Sequence, residues 1–168
     1  MKNILSILLI SVLFIGCSEN RVLIDDLTLK KIYDEDDIYN TYARVAYYEG
    51  KLFTGLAFDI CRNGKIKEEI NYFKGRKDGM HTKWFCGSDR LEFEKEFKNG
   101  LRHGLWKVYS PAGDWPSYEK YYEMGHPTGL YKHWDEESGN ITWEGHWDGQ
   151  TYISDKCYRN GVLVKCED

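Results

Sequence analysis

From Tyr42 to Trp147 apolar and polar residues alternate in short runs, with Gly, Asn, Asp and Ser between the runs. Alternation with period two marks strands with one face covered, and the helical spacing of 3.6 is absent. The pattern also recurs at a longer interval. Tyr47, Tyr72, Phe97, Tyr122 and Trp147 stand 25 residues apart. Gly50, Gly75, Gly100 and Gly125 follow the first four at one offset. Gly79, Gly104 and Gly129 keep the interval as well, with Gly55 displaced by one. An internal repeat of this length means stacked copies of one supersecondary unit.

Each copy predicts two strands. The first begins at the second Gly, as in Gly79 to Trp84, Gly104 to Tyr109 and Gly129 to Trp134. A turn follows, marked by Asn63-Gly64, Gly87-Ser88-Asp89, Pro111 to Asp114 or Ser138-Gly139-Asn140. Gly and Asn tolerate the positive φ such turns need. The return strand ends on the next aromatic: Ile66 to Tyr72, Leu91 to Phe97, Tyr118 to Tyr122, Ile141 to Trp147. The fold class is therefore all-β, a run of successive antiparallel hairpins.

Stepping by 25 gives the faces. Return strands line up Ile66, Leu91, Pro116 and Ile141, then Glu68, Phe93, Tyr118 and Trp143, then Tyr72, Phe97, Tyr122 and Trp147. First strands line up Leu56, Met80, Leu105 and Leu130, then Ile60, Trp84, Tyr109 and Trp134, with Leu56 and Ile60 displaced by one as Gly55 is. Together these columns are expected to form the apolar face, since stacked aromatics bury much area. Trp106, Tyr131 and His81 fall one residue out of phase, so they are expected off the core. The other face of the return strands carries Glu69, Glu94, Glu119 and Glu144, one acid per repeat. Equivalent strands stand about 10 Å apart, so these charges are largely screened. Lys83, Lys107 and Lys132 on the intervening strands offset them if register puts both on one side.

The ends differ from the repeats. Lys2 precedes an apolar run from Ile4 to Ile15, too short to span a bilayer. Gly16-Cys17 follows, and the whole resembles a bacterial lipoprotein signal, with Phe14 where Leu is more usual. The resemblance implies cleavage before Cys17, lipid on Cys17 and a chain held to a membrane at the cell envelope, facing the periplasm or the exterior. An ordinary secretory signal with a chance Cys is the alternative. The expected organisation is residues 1–16 as signal, 17–21 as tether, 22–46 as an N-terminal cap, and 47–168 as the repeat domain. A terminal copy covers the open edge of such an array. Residues 147–168 form its C-terminal cap, with a hairpin from Lys156 to Cys166 on Asn160-Gly161. The acids at 34–37 read as a solvated loop; their spacing fits no calcium loop.

About 150 residues remain after the signal, enough for one domain with a core. Net charge is −4 and no Arg-rich run occurs, which argues against a nucleic-acid partner. Four cysteines follow Cys17. Cys61 and Cys86 are one repeat apart and should stack; Cys157 and Cys166 flank a turn. Disulfides Cys61–Cys86 and Cys157–Cys166 are therefore expected in an exported chain. No metalloprotease, nucleophile-elbow or phosphate-loop motif is present. The histidines His81, His103, His126, His133 and His146 occupy unrelated offsets. No catalytic residue, metal or cofactor is expected.

The stretches GRKDGMHTKWF, GLRHGLWKVY and GHPTGLYKHW, each with a turn and return strand after it, resemble the MORN-repeat variant of the YwqK-family antitoxins. YYEGKLFTGLAFDICRNGKIKEEINYFKGRKDG resembles the opening of such an array. The likeness covers residues 44 to 150. It implies a single elongated, twisted antiparallel sheet and an antitoxin or immunity role. Cys61, Cys86, the extra residues at Trp115-Pro116 and the irregular end depart from it.

The functional expectation is a non-enzymatic, lipid-anchored, protein-binding repeat module whose partner is a toxin or another envelope protein. The candidate surface is Trp106, Tyr131 and His81 with the stripe Glu69, Glu94, Glu119 and Glu144. Alternatives are a glycan or cell-wall binder using the same aromatics, and a structural envelope scaffold.

Overall fold

The computed structural model describes residues 20–33 and 42–166. The signal, Cys17 and the acids at 34–37 lie outside the described residues. The described residues are all-β, with one 3-10 turn at Ile24–Asp26. Its strands are β1 (Arg21–Leu23), β2 (Thr28–Tyr33), β3 (Tyr42–Tyr48), β4 (Lys51–Leu52), β5 (Gly55–Ile60), β6 (Ile66–Phe73), β7 (Arg76–Trp84), β8 (Leu91–Lys98), β9 (Leu101–Tyr109), β10 (Pro116–Glu123), β11 (His126–Trp134), β12 (Ile141–Trp147), β13 (Tyr152–Arg159) and β14 (Val162–Val164). Strands β5 to β14 follow one another in space as in sequence, each antiparallel to the next. With β1 parallel to β5 at the edge they make an open eleven-stranded sheet.

Tight turns set the period. Glu49-Gly50, Lys74-Gly75, Asn99-Gly100, Met124-Gly125 and Asn160-Gly161 each place two consecutive residues at positive φ. That is the type I′ geometry whose twist matches a hairpin. The second Gly of each copy has a different task. Gly55, Gly79 and Gly104 lie directly across the ladder from Tyr72, Phe97 and Tyr122. All three take a positive φ, and a Cβ would meet Asn20 at Gly55, Asn71 at Gly79 and Glu96 at Gly104. The first strands accordingly begin before the second Gly, at Arg76, Leu101 and His126, not at it. Between the tight turn and the middle of the hairpin, β7, β9 and β11 each carry two extra residues and β13 carries one. On one side of that insertion Phe97 pairs with Arg102; on the other Lys95 pairs with Trp106.

The longer loops at the opposite edge are tied copy to copy. The disulfide Cys61–Cys86 joins two of them, with Cα atoms 5.6 Å apart. Lys65 pairs with Asp89 at 2.8 Å and Arg90 with Asp114 at 2.6 Å. Arg90 also donates to the carbonyls of Ser110, Pro111 and Gly113. Ser110, fully buried, donates to the Glu136 carbonyl at 2.7 Å.

The N-terminal end holds the compact core. β2, β3 and β4 form a separate three-stranded sheet. Ala46 and Phe53 from this region pack with Ala57, Ile70 and Tyr72, and Val22, Ile24 and Leu27 close over them. At the other end β13 begins at Tyr152, earlier than the expected hairpin start at Lys156. Tyr152 faces Trp147 at the offset by which Arg102 faces Phe97. The fifth copy therefore continues in backbone although its Leu-aromatic signature is lost. β14 completes the hairpin, and Cys157–Cys166 closes it with Cα atoms 5.1 Å apart.

Candidate functional site

Cross-strand pairing assigns every side chain of the long sheet to one of two faces, since directly opposed residues point the same way. Lys95, Trp106, Lys120 and Tyr131 are successive partners. Ala57, Ile70 and His81 extend that row toward β5. Beside it run Lys83, Phe93, Val108, Tyr118, His133 and Trp143. This is the aromatic face. Trp106 has ring centres 5.0 Å from both Phe97 and Tyr122, and its Nε1 donates to the Glu96 carbonyl at 2.8 Å. Tyr131 lies 4.8 Å from Trp143 and 4.9 Å from Tyr152.

The two faces divide differently from the columns expected from sequence. Trp106, Tyr131 and His81 belong with Phe93 and Phe97, and Leu56, Met80, Leu105 and Leu130 lie on the opposite side. Met80 is 39% exposed and Leu130 38%. A slip of one residue exchanges the faces of a whole strand. Tyr109 is likewise turned away from the aromatic face, and its hydroxyl donates to Glu94 Oε2 at 3.0 Å. Burial first and Glu94 second push that phenol up to about 12.

One polar cluster sits on the aromatic face. Lys77 Nζ is 3.0 Å from His81 Nδ1, and His81 Nε2 is 2.6 Å from Glu68 Oε1. The ammonium donates to Nδ1, so Nε2 carries the proton that is donated to Glu68. Burial is the main cause that lowers the His81 pKa, and burial holds Lys77 down to about 8. The His81 bond keeps Glu68 below the ordinary carboxylate value. His81 is 7% exposed, with its ring 4.8 Å from Phe93. Lys77, Glu68, Lys95 and Lys120 were not among the sequence candidates. Lys95 and Lys120 did carry a signal, since they fall one repeat apart.

The second side is the ladder face. Glu94, Lys107, Glu119, Lys132, Glu144 and Lys156 are successive cross-strand partners, so acid and base alternate. Lys107 reaches Glu119 at 2.8 Å and Lys156 reaches Glu144 at 3.6 Å. Glu69 lies further along and takes Arg21 at 3.0 Å. Lys107 and Lys132 therefore share the side of the Glu stripe, while Lys83, opposite Phe93, does not. Parallel to the ladder, toward the tight turns, runs a row of apolar side chains. It comprises Met80, Leu105, Tyr121, Leu130 and Ile153, with Glu96 and His146 between them. Tyr121 is 41% exposed and Ile153 43%. The structure thus separates the sequence candidates: Trp106, Tyr131 and His81 on one face, Glu69, Glu94, Glu119 and Glu144 on the other.

Among the described residues no cluster of three His, Cys, Asp or Glu is arranged to hold a metal ion, and no helix is long and apolar enough to cross a membrane. No family model and no curated protein matches the chain. A solved structure of a mutant S. aureus TarM, in complex with Fondaparinux, alpha-GlcNAc-glycerol and UDP, is similar over 75% of this chain at 9% identity and a TM-score of 0.34. This chain spans 21% of that one. A likeness so slight carries no argument.

Proposed function

We propose that this chain is a lipid-anchored, non-enzymatic binding module of the bacterial envelope that docks a protein partner on its ladder face. The observation that carries the reading is the row Met80, Leu105, Tyr121, Leu130 and Ile153 beside the alternating Glu–Lys ladder, exposed at every position but the half-buried Leu105. An apolar strip with a polar border has the composition of a protein interface, and isolated soluble domains seldom expose one. From β7 to β13 the row crosses six strand spacings, about 30 Å. A patch of about 800 Å², the usual share of one partner, has a similar width. The ladder adds little net charge. It selects a partner by the order of its charges, which fixes register.

The anchor is supported by the first seventeen residues and by two disulfides, which persist in oxidising compartments. The non-enzymatic reading is supported by the hydrogen-bonded chain Glu68–His81–Lys77. It has the polarity of acid–base machinery, but its histidine is packed against Phe93 and Phe97. The narrower immunity reading rests on the MORN-type resemblance of the repeats; its partner is a toxin.

Site-specific photocrosslinking in intact cells tests the reading. A photoreactive residue at Tyr121 is expected to capture one protein. The same residue at Tyr122, one position on and 8% exposed, is expected to capture none. Leu130→Lys should abolish the Tyr121 product, and Cys17→Ser should release the chain from the membrane fraction. Products that are equal at both positions, or unaffected by Leu130→Lys, would refute docking on this face.

A further inference from the structure

The central row of the aromatic face alternates cation and ring. Lys95 Nζ lies 4.0 Å from the centre of the Phe93 ring and 5.2 Å from Trp106. Lys120 Nζ lies 4.5 Å from Tyr131 and 4.9 Å from Tyr152. Arg102, on the strand between, is 4.7 Å from Tyr122 and 5.8 Å from Trp106. A ring face stabilises a cation electrostatically but accepts its N–H donors poorly. Arg102 reaches one neutral acceptor, the Tyr122 hydroxyl at 3.5 Å. Among the described residues, no carboxylate comes within ion-pair distance of these three cations.

Other cations of the same sheet are treated differently. Lys107 and Lys156 on the ladder face are matched to Glu residues, and Lys77 is tied to His81. Burial also lowers the pKa values of Lys95 and Lys120. Partly dehydrated, donor-rich cations without an ion-paired carboxylate gain most from an oxyanion, because the cost of removing them from water is already met in part by the fold.

We propose that this face is a binding site for an acidic glycan, whose carboxylates pair with Lys95, Arg102 and Lys120 while its sugar rings lie against Trp106 and Tyr131. An extended peptide gains its affinity from a free sheet edge. This row instead lies on β8 to β11, whose backbones are paired on both sides. A ligand here meets side chains alone. An acidic sugar polymer offers what they recognise, anions for the cations and flat C–H faces for the rings. Lys95 and Lys120 are two strands apart, about 10 Å, a spacing suited to one anion per two sugar rings. The site is on the side opposite the protein-docking row, so its failure and the failure of that reading are separate results.

The whole chain is titrated with three probes: hyaluronan oligosaccharide, which has one carboxylate per two sugars; neutral chitin oligosaccharide; and oligoglutamate. Tryptophan fluorescence and calorimetry report binding. Hyaluronan is expected to bind and to weaken as salt rises. The double variant Lys95→Gln/Lys120→Gln should bind it at least about tenfold less tightly. A second variant, Lys107→Gln on the ladder face, should bind as the parent does. Near-ultraviolet circular dichroism identifies any variant that has lost its packing. Three results would overturn the proposal: no hyaluronan binding by the parent, equal binding of the neutral sugar, or tighter binding of oligoglutamate, which would make a polypeptide the ligand.

Discussion

Lys77 donates to His81, and His81 donates to Glu68, within a face made mostly of rings. Burial brings the Lys77 pKa from 10.5 to about 8. The sign of its effect on stability follows. Below pH 8 both folded and unfolded chains hold the proton, and the cost of burying the charge is present in full. Between about 8 and 10.5 the unfolded chain holds more protons than the folded one, so stability rises with pH. Tyr72, Tyr109 and Tyr152, pushed up to about 12, act the other way, but only above pH 10. Denaturant unfolding from pH 7 to 9.5 is therefore expected to show rising stability in the parent. In Lys77→Met that rise should become shallower, leaving the part that Lys95 and Lys120 contribute, and stability at pH 7 should increase by about 1–3 kcal/mol. An identical slope in both proteins would show that Lys77 is not held as described. Nothing in the sequence marks Lys77 as buried, because its contact with the Phe97 ring, 5.1 Å away, is made to the next copy.

The hairpin is the element at which most of the fold was legible. Strand Ile141–Trp147 has the boundaries that alternation gives it, and both cysteine pairs follow from their place in the repeat. The turn also constrains which way each strand faces, a constraint the apolar columns did not use. Asn99-Gly100 closes a two-residue hairpin, which makes Phe97 and Arg102 partners and puts the even-numbered residues of β9 on the side of Phe93 and Phe97. The two extra residues around Gly104 shift register by an even number and leave that parity intact. Apolar columns chosen by composition favoured Leu105 over Trp106, and composition does not know which way a strand faces. The candidate site was legible only in part. The Glu stripe could be read from the interval of 25, but its alternation with Lys107 and Lys132 depends on register. The turns themselves hold a testable weakness. Met124 sits at φ 47, where a side chain other than Asn costs about 1 kcal/mol. Its side chain is 39% exposed, so little packing is lost on replacement. Met124→Asn is expected to raise stability by about 0.5–1 kcal/mol, read as a higher urea midpoint at unchanged slope. A lower midpoint would mean that the Met124 contacts outweigh the backbone strain.

At the scale of the molecule the sheet has one layer over most of its length and two unlike sides. The compact core lies at the N-terminal end. Beyond β7 the aromatic face serves as its own core, ring against ring across strands, while the ladder face keeps its leucines and Tyr121 partly in water. Protein docking belongs to the second side and the glycan proposal to the first. Both depend on which side each first-strand residue takes. The most direct measurement compares two alanine variants from equivalent strands in urea unfolding. Trp106→Ala is expected to cost about 2–4 kcal/mol, because it removes the ring between Phe97 and Tyr122. Leu130→Ala, on the ladder face and 38% exposed, is expected to cost about 1 kcal/mol or less. The reverse order, a large loss at Leu130 and a small one at Trp106, would contradict the assignment of the two faces.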